Sequence, residues 1–146
     1  MKKPVILFFA LIFLLFTGCE NIGKNIPEID SYIWQVKTVQ TSENNGEVIA
    51  CSPEKYYIYK SAKQIDLTCK AEKGKLTITD STNNKTYEGT YKKTNKAVDG
   101  VIYEINIEGK KGYAASGITT YSDGSSENVF NMSIDDYSLS FTEKTK

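Results

Sequence analysis

The segment VIYEINIEGKKGYAASGITTY, residues 101–121, gives the clearest indication of the fold. Its first half alternates apolar with polar residues, and the apolar positions are Val101, Tyr103, Ile105 and Ile107. This period of two is typical of a β-strand that buries one face. The run Gly109-Lys110-Lys111-Gly112 then breaks the pattern, and a second segment of strand-forming residues follows at 113–121. The stretch therefore predicts a tight hairpin of two antiparallel strands.

The same rhythm continues through the chain from Asp30 onward. Turn sequences such as Asn44-Asn45-Gly46 and Asp123-Gly124 separate short segments that are rich in Tyr, Val, Ile and Thr, and this is an all-β signature. No segment carries the apolar stripe of an amphipathic helix. The predicted strands are residues 31–40, 47–51, 55–60, 64–71, 75–79, 85–92, 101–108, 113–121, 128–134 and 137–143.

A closed barrel is the predicted arrangement of these strands. A set of about eight to ten short antiparallel strands leaves unpaired edges unless the sheet closes on itself. We therefore predict a small up-and-down β-barrel, and a two-sheet β-sandwich is the alternative. The first strand, with Trp34, and the hairpins after it resemble the small lipocalin-like barrels of bacterial lipoproteins, although Tyr32 stands where those barrels commonly have glycine.

The N-terminus carries the pattern of an export signal. Two lysines precede an apolar run at residues 5–16, and the run ends at Thr17-Gly18-Cys19. Twelve residues are too few to span a bilayer, which takes about 20. The pattern resembles the lipobox of bacterial lipoproteins, in which the cysteine is acylated and the chain is cut before it. The resemblance implies a signal peptide at 1–18 and a lipid on Cys19, whereas an ordinary secretory signal is the alternative.

The remainder of the chain divides into a tether and one domain. Residues 19–29 are mostly polar, include Gly23 and Pro27, and show no sustained period, so they predict a flexible tether. Residues 30–146 have the length of a single domain and form the predicted β-barrel.

Composition excludes several functions. The 18 basic and 18 acidic residues balance, which argues against a nucleic-acid partner. The chain has no histidine, so the usual base of a hydrolytic triad and the usual zinc ligand are both missing. The acidic turns at Asp123-Gly124 and Asp135-Asp136 do not have the spacing of a calcium loop. We therefore predict a protein that is not an enzyme and that uses no metal or cofactor.

Cys51 and Cys69 remain once Cys19 is assigned to lipid. An exported chain folds where disulfides persist, so we predict that these two cysteines bond to each other. A pair of free buried thiols is the alternative.

The tyrosines suggest where a ligand or partner binds. Tyr is a frequent strand former, so a structural role accounts for many of them. Strand alternation, however, predicts inward-facing rings beside small residues that leave volume unfilled, and such a volume is suited to a small apolar or aromatic molecule. The predicted inward rings are Tyr87, Tyr91, Tyr103 and Tyr113, and the small residues are Gly89, Ala115 and Gly117.

A second binding hypothesis concerns Ser116-Gly117-Ile118-Thr119-Thr120-Tyr121. It resembles the Ser-Gly-x-x-Tyr loop of periplasmic lysozyme inhibitors, which are small lipid-anchored β-barrels, although Tyr121 stands one residue further along. The resemblance implies a protein partner. The two hypotheses together give Tyr103, Tyr113, Ser116 and Tyr121 as candidate binding residues.

These expectations define a function class. We expect a membrane-tethered, non-catalytic protein on the periplasmic side of a Gram-negative cell envelope that binds a macromolecular partner, a class that includes inhibitors and immunity proteins. Glu20 after the cysteine implies the outer membrane for lipoproteins of this kind. A carrier of a small ligand inside the barrel is the alternative, and a purely structural envelope component is a third possibility.

Overall fold

The fold is seen in a computed structural model, which describes residues 26–43 and 46–145. The predicted all-β class is confirmed, and a 3-10 turn at Pro53–Lys55 is the helical element within those residues. The strands are β1 Trp34–Thr41, β2 Val48–Cys51, β3 Lys63–Gln64, β4 Leu67–Glu72, β5 Lys75–Asp80, β6 Lys85–Lys96, β7 Gly100–Ile107, β8 Lys110–Thr120, β9 Ser126–Ile134 and β10 Tyr137–Glu143.

The sheet closes into a barrel, as predicted. Strands β4 to β10 follow one another as antiparallel neighbours, and β10 pairs with β1 to complete a closed barrel of eight strands. Two strands share the other edge of β1. Trp34 and Gln35 pair with β4, whereas Thr38 to Gln40 pair with β2. The short strands β2 and β3 are therefore an addition to the barrel, and β3 runs parallel to β2.

The predicted strand at 55–60 is wrong. This part of the chain folds into consecutive tight turns, in which Tyr56 N–H donates to the Pro53 carbonyl at 3.3 Å and Ile58 N–H donates to the Lys55 carbonyl at 2.9 Å. Pro53 explains the difference, because its fixed φ favours the first turn of a helix and it has no N–H for a strand ladder.

The two ends of the barrel differ in what they carry. At one end, which we call the arm end, β1 begins, β10 ends, and hairpins join β4 to β5, β6 to β7 and β8 to β9. At the other, the far end, hairpins join β5 to β6, β7 to β8 and β9 to β10. Residues 26–33 precede β1 and so lie at the arm end.

Large side chains fill the interior. The alternation predicted for β7 is confirmed, since Val101, Tyr103, Ile105 and Ile107 are all buried. The largest fully buried residues are Trp34, Tyr103, Phe130 and Phe141, and the Phe130 ring lies 5.5 Å from both the Trp34 and the Phe141 rings. An eight-strand barrel is just wide enough for side chains to fill it.

The predicted inward face of β8 is wrong. Ala114 and Ser116 are buried, whereas Tyr113 is 66% exposed and Ala115 is exposed. Ala114 lies opposite Tyr103 on β7, so these two residues share the inner face. A register error of one residue at the hairpin places every side chain of the strand on the opposite face, because side chains alternate with a period of two residues.

The glycines within the barrel strands mark close backbone contacts and not empty space. A Cβ on Gly89 would lie 2.2 Å from the Asn106 carbonyl oxygen, and a Cβ on Gly117 would lie 2.8 Å from the Asp99 carbonyl oxygen. Gly112 is equally tight against Ser133. Gly89 and Gly112 pair with Ile107 and Ile105 on the two sides of β7, where the missing side chains let the sheet bend sharply.

The predicted disulfide is also wrong, because Cys51 and Cys69 are free and buried. Cys51 pairs with Thr38 and Cys69 pairs with Trp34 on the same edge of β1, so the two cysteines lie about four residues apart along that strand. Four strand residues span about 13 Å, and a disulfide needs Cα atoms within about 7 Å of each other. Burial raises the pKa of both thiols, that of Cys69 to about 12.

Both thiols are therefore expected to be unreactive in the folded protein. The neutral thiol is a poor nucleophile and the barrel excludes reagents, so iodoacetamide at pH 8 should modify Cys51 and Cys69 only after unfolding in guanidinium. Mass spectrometry of the native and unfolded protein measures this. An intact mass that is about 2 Da low, with a peptide linking the two cysteines, would contradict it.

Candidate functional site

The N-terminal arm, residues 26–33, enters the barrel instead of leaving it. The Ile29 side chain is 1% exposed and belongs to the core. Its carbonyl accepts a hydrogen bond from Trp34 Nε1 at 2.7 Å, and its N–H donates to the Tyr103 hydroxyl at 2.9 Å. The arm is thus held by two of the largest buried side chains.

Ser116 completes this buried network. Its hydroxyl donates to the Pro27 carbonyl at 2.6 Å, and the Tyr103 hydroxyl lies 3.3 Å from the Ser116 oxygen. Because Ser116 has a single proton and gives it to Pro27, Tyr103 is the donor between them. Burial raises the pKa of Tyr103 above its usual value, although its hydrogen bonds with Ser116 and Ile29 oppose this. The hydroxyl therefore stays protonated.

This network corrects two expectations. The predicted tether at 19–29 is wrong for residues 26–29, which are part of the barrel. Residues 19–25, with the lipid site Cys19, and the predicted signal peptide at 1–18 lie outside the described residues. Tyr103 and Ser116 are close together as predicted, but their hydroxyls already bind the arm, so they do not face a partner.

Tyr103→Phe should separate the arm from the barrel. The substitution leaves the buried Ile29 N–H without an acceptor, which costs about 1 to 3 kcal/mol, and it should increase hydrogen exchange of the Ile29 amide. Tyr113→Phe is the matched control, because that exposed hydroxyl should change stability by less than about 0.5 kcal/mol. Equal urea midpoints for the two variants would show that the arm is not held as described.

Tyr113 and Tyr121 lie on the outside and apart from each other. Tyr113 borders a shallow groove of about 600 Å³ on the outer face of β6 to β8, lined also by Lys92, Glu104 and Lys111. Tyr121 follows β8 at the arm end, about 26 Å along the strand from Tyr113. The four predicted binding residues therefore do not form one site.

Tyr121 belongs to a polar cluster on the outer wall. Its hydroxyl donates to Glu127 Oε2 at 2.5 Å, and Lys37 Nζ forms a salt bridge with Glu127 Oε1. Burial raises the pKa of Glu127, but the hydrogen bonds from Lys37 and Tyr121 outweigh it and hold that pKa below its usual 4.5. A carboxylate with a lowered pKa stabilises the fold above its unfolded pKa and loses this effect as the pH falls through its folded pKa.

Glu127→Gln should therefore reduce the acid sensitivity of the protein. At pH 7 we expect a loss of about 1 kcal/mol or less, because the ion pair is partly solvated. As the pH falls from 5 through the folded pKa of Glu127, which lies below 4.5, the difference from wild type should shrink. Urea unfolding across this range measures it, with Glu104→Gln on the exposed face of β7 as the control. A difference that does not change with pH would contradict the assignment.

The most exposed aromatic group was missed by the sequence reasoning. Tyr56, Tyr57 and Ile58 are consecutive in the turns between β2 and β3, with Tyr57 71% and Ile58 52% exposed. Buried Ser52 and Ala62 hold the two ends of this segment. We call Tyr56–Ile58 the apolar turn. Its sequence signal was three large residues in a row after a proline, a pattern that does not alternate as a half-buried strand does.

The acidic side chains of the described residues do not cluster as metal ligands. No group of three His, Cys, Asp or Glu side chains in that part of the chain lies together to hold a metal ion. The Asp123 carboxylate accepts hydrogen bonds from the Ser125 N–H and hydroxyl, so it closes a turn. No helix within 26–43 and 46–145 is long and apolar enough to cross a membrane.

Comparisons with known proteins found no match. No family model, no curated protein and no solved structure is similar to the chain. Any function proposed for this protein therefore rests on the chemistry of its own residues.

Proposed function

We propose that this protein is a lipid-anchored, non-catalytic binding protein of the cell envelope, and that a protein partner docks on the apolar turn. The observation that carries the proposal is the exposure of Tyr56, Tyr57 and Ile58 on a segment held by its own hydrogen bonds. Tyrosines on a pre-formed surface lose little conformational entropy on binding, and they are frequent hot spots of interfaces.

The filled interior supports a protein partner over a small ligand. Trp34, Tyr103 and Phe130 occupy the barrel, and the arm covers the arm end through Ile29. Every buried side-chain nitrogen or oxygen among the described residues already has a hydrogen-bond partner. A carrier needs interior volume and free polar groups to orient its ligand, whereas a docking protein needs an exposed, rigid apolar group.

Cross-linking tests the partner surface. A photoreactive phenylalanine at position 57 should capture one protein in intact cells, and the same residue at position 113 should not. With that protein purified, Tyr57→Ala should weaken binding about thirtyfold, as expected for a hot spot. Tyr113→Ala, which removes an equally exposed ring elsewhere, should change binding less than about twofold. A ligand released on denaturation, without any adduct at position 57, would indicate a carrier instead.

The anchor needs a separate test. Cys19→Ser should leave the protein unprocessed or soluble after cell fractionation, because acyl chains supply about 0.8 kcal/mol of membrane affinity per buried CH₂. Fractionation also shows whether the lipidated form reaches the outer membrane, as Glu20 implies. A Cys19→Ser protein that is still lipidated would refute the anchor.

A further inference from the structure

Exposed apolar side chains collect at the arm end of the barrel. Tyr32 and Ile33 precede β1, Val98 is in the hairpin between β6 and β7, and Tyr121 begins the hairpin between β8 and β9. These four residues are 41% to 72% exposed. They come from three separate parts of the chain, and the barrel topology brings them to one rim.

The rim is rigid and also carries lysines. The Tyr32 ring packs edge-on against Trp34, with the ring centres 5.5 Å apart, and the Ile33 carbonyl accepts a hydrogen bond from Lys144 N–H at 2.8 Å. Lys73, Lys96 and Lys144 are exposed at this end.

Two carboxylates of this end are already engaged by lysines. Glu28 forms a salt bridge with Lys93 at 2.6 Å, and Glu127 forms one with Lys37. Tyrosines and aliphatic groups with nearby lysines are the composition of a surface that rests in the interfacial layer of a membrane.

The short segment between Cys19 and the arm keeps this rim close to the proposed anchor. Cys19 is seven residues before Ile26, where the described arm begins, and seven residues reach at most about 25 Å. The arm is bonded into the barrel at Pro27 and Ile29, so a lipid on Cys19 constrains this end of the barrel and not the far end.

We propose that the arm end lies on the membrane surface, with Tyr32, Ile33, Val98 and Tyr121 in contact with the lipid headgroup layer. This inference rests on the lipid attachment in the proposed function. Because the arm is hydrogen-bonded to the barrel, it then fixes the orientation of the barrel relative to the membrane. The far end faces away from the bilayer.

Nuclear magnetic resonance tests the orientation without relying on lipidation by the cell. The processed chain, residues 19–146, contains every strand of the barrel and is labelled with ¹⁵N-tyrosine. Its Cys19 thiol is coupled to a maleimide lipid in nanodiscs of phosphatidylcholine and phosphatidylglycerol that contain a gadolinium-chelating lipid. Cys51 and Cys69 are buried and should not compete. The two barrel ends lie about 20 Å apart, given the rise and tilt of the strands.

We expect the amide signals of Tyr32 and Tyr121 to relax roughly tenfold faster than that of Tyr137, which lies at the far end. The pair Ile33→Asp with Val98→Asp should reduce this difference, although the coupled Cys19 still holds the arm end near the membrane. Tyr137→Asp should leave the difference unchanged, even though Tyr137 is 47% exposed. Val98→Asp alone, in a hairpin, is the second variant in case the pair unfolds the protein, and it should reduce the difference.

Equal relaxation at the two ends, or faster relaxation at Tyr137, would overturn the orientation. Because the coupling is chemical, neither result depends on lipidation by the cell or on the protein partner. The fractionation and cross-linking experiments test those parts of the proposed function.

Discussion

Trp34→Ala is expected to lower the free energy of unfolding by about 3 to 5 kcal/mol. Trp34 is fully buried, lies against Phe130, and donates its indole N–H to the Ile29 carbonyl. The substitution therefore creates a cavity at the arm end and releases the arm at the same time. Urea unfolding followed by circular dichroism measures the loss.

Trp34→Phe separates these two effects. Phenylalanine keeps most of the apolar contact with Phe130 but leaves the Ile29 carbonyl without its donor, which costs about 1 to 3 kcal/mol. We expect an intermediate stability with the arm amides exchanging faster. If Trp34→Phe is as stable as the wild type, the indole hydrogen bond does not hold the arm.

Gly89→Ala should be clearly destabilising. The added Cβ would lie 2.2 Å from the Asn106 carbonyl oxygen and 3.0 Å from Ile107 Cα, and both atoms belong to the backbone. The paired strand β7 must move, and overpacking of this kind typically costs about 1 to 3 kcal/mol. Thermal unfolding measures the shift.

Two further variants are measured beside Gly89→Ala: Gly112→Ala for comparison and Thr90→Ala as the control. Gly112 has an equally short contact, 2.3 Å to the Ser133 carbonyl oxygen, so its alanine variant should lose a similar amount. Thr90 is the exposed neighbour of Gly89, and its alanine variant should change stability by less than about 0.5 kcal/mol. A Gly89→Ala protein as stable as the wild type would mean that space exists beside β6, as the carrier hypothesis requires.

The all-β class and the closed barrel are predicted from sequence patterns alone, and nine of the ten predicted strands match the structure at least in part. These features depend on local chemistry. Alternation along β7 gives its buried face directly, and glycine or paired acidic residues end the strands where hairpins turn.

Tertiary contacts determine the inner face of β8, the role of the arm and the separation of the cysteines. Tyr113 and Ala114 are both acceptable on either face of a strand, so the pairing with β7 selects between them. Ile29 looks like part of a polar linker until the Tyr103 hydroxyl, 74 residues away in the sequence, accepts its N–H. Cys51 and Cys69 cannot pair because they lie against well-separated positions of β1, Thr38 and Trp34. For the arm and for Cys69 the contacts join residues far apart in the chain, and local sequence patterns carry no information about such contacts.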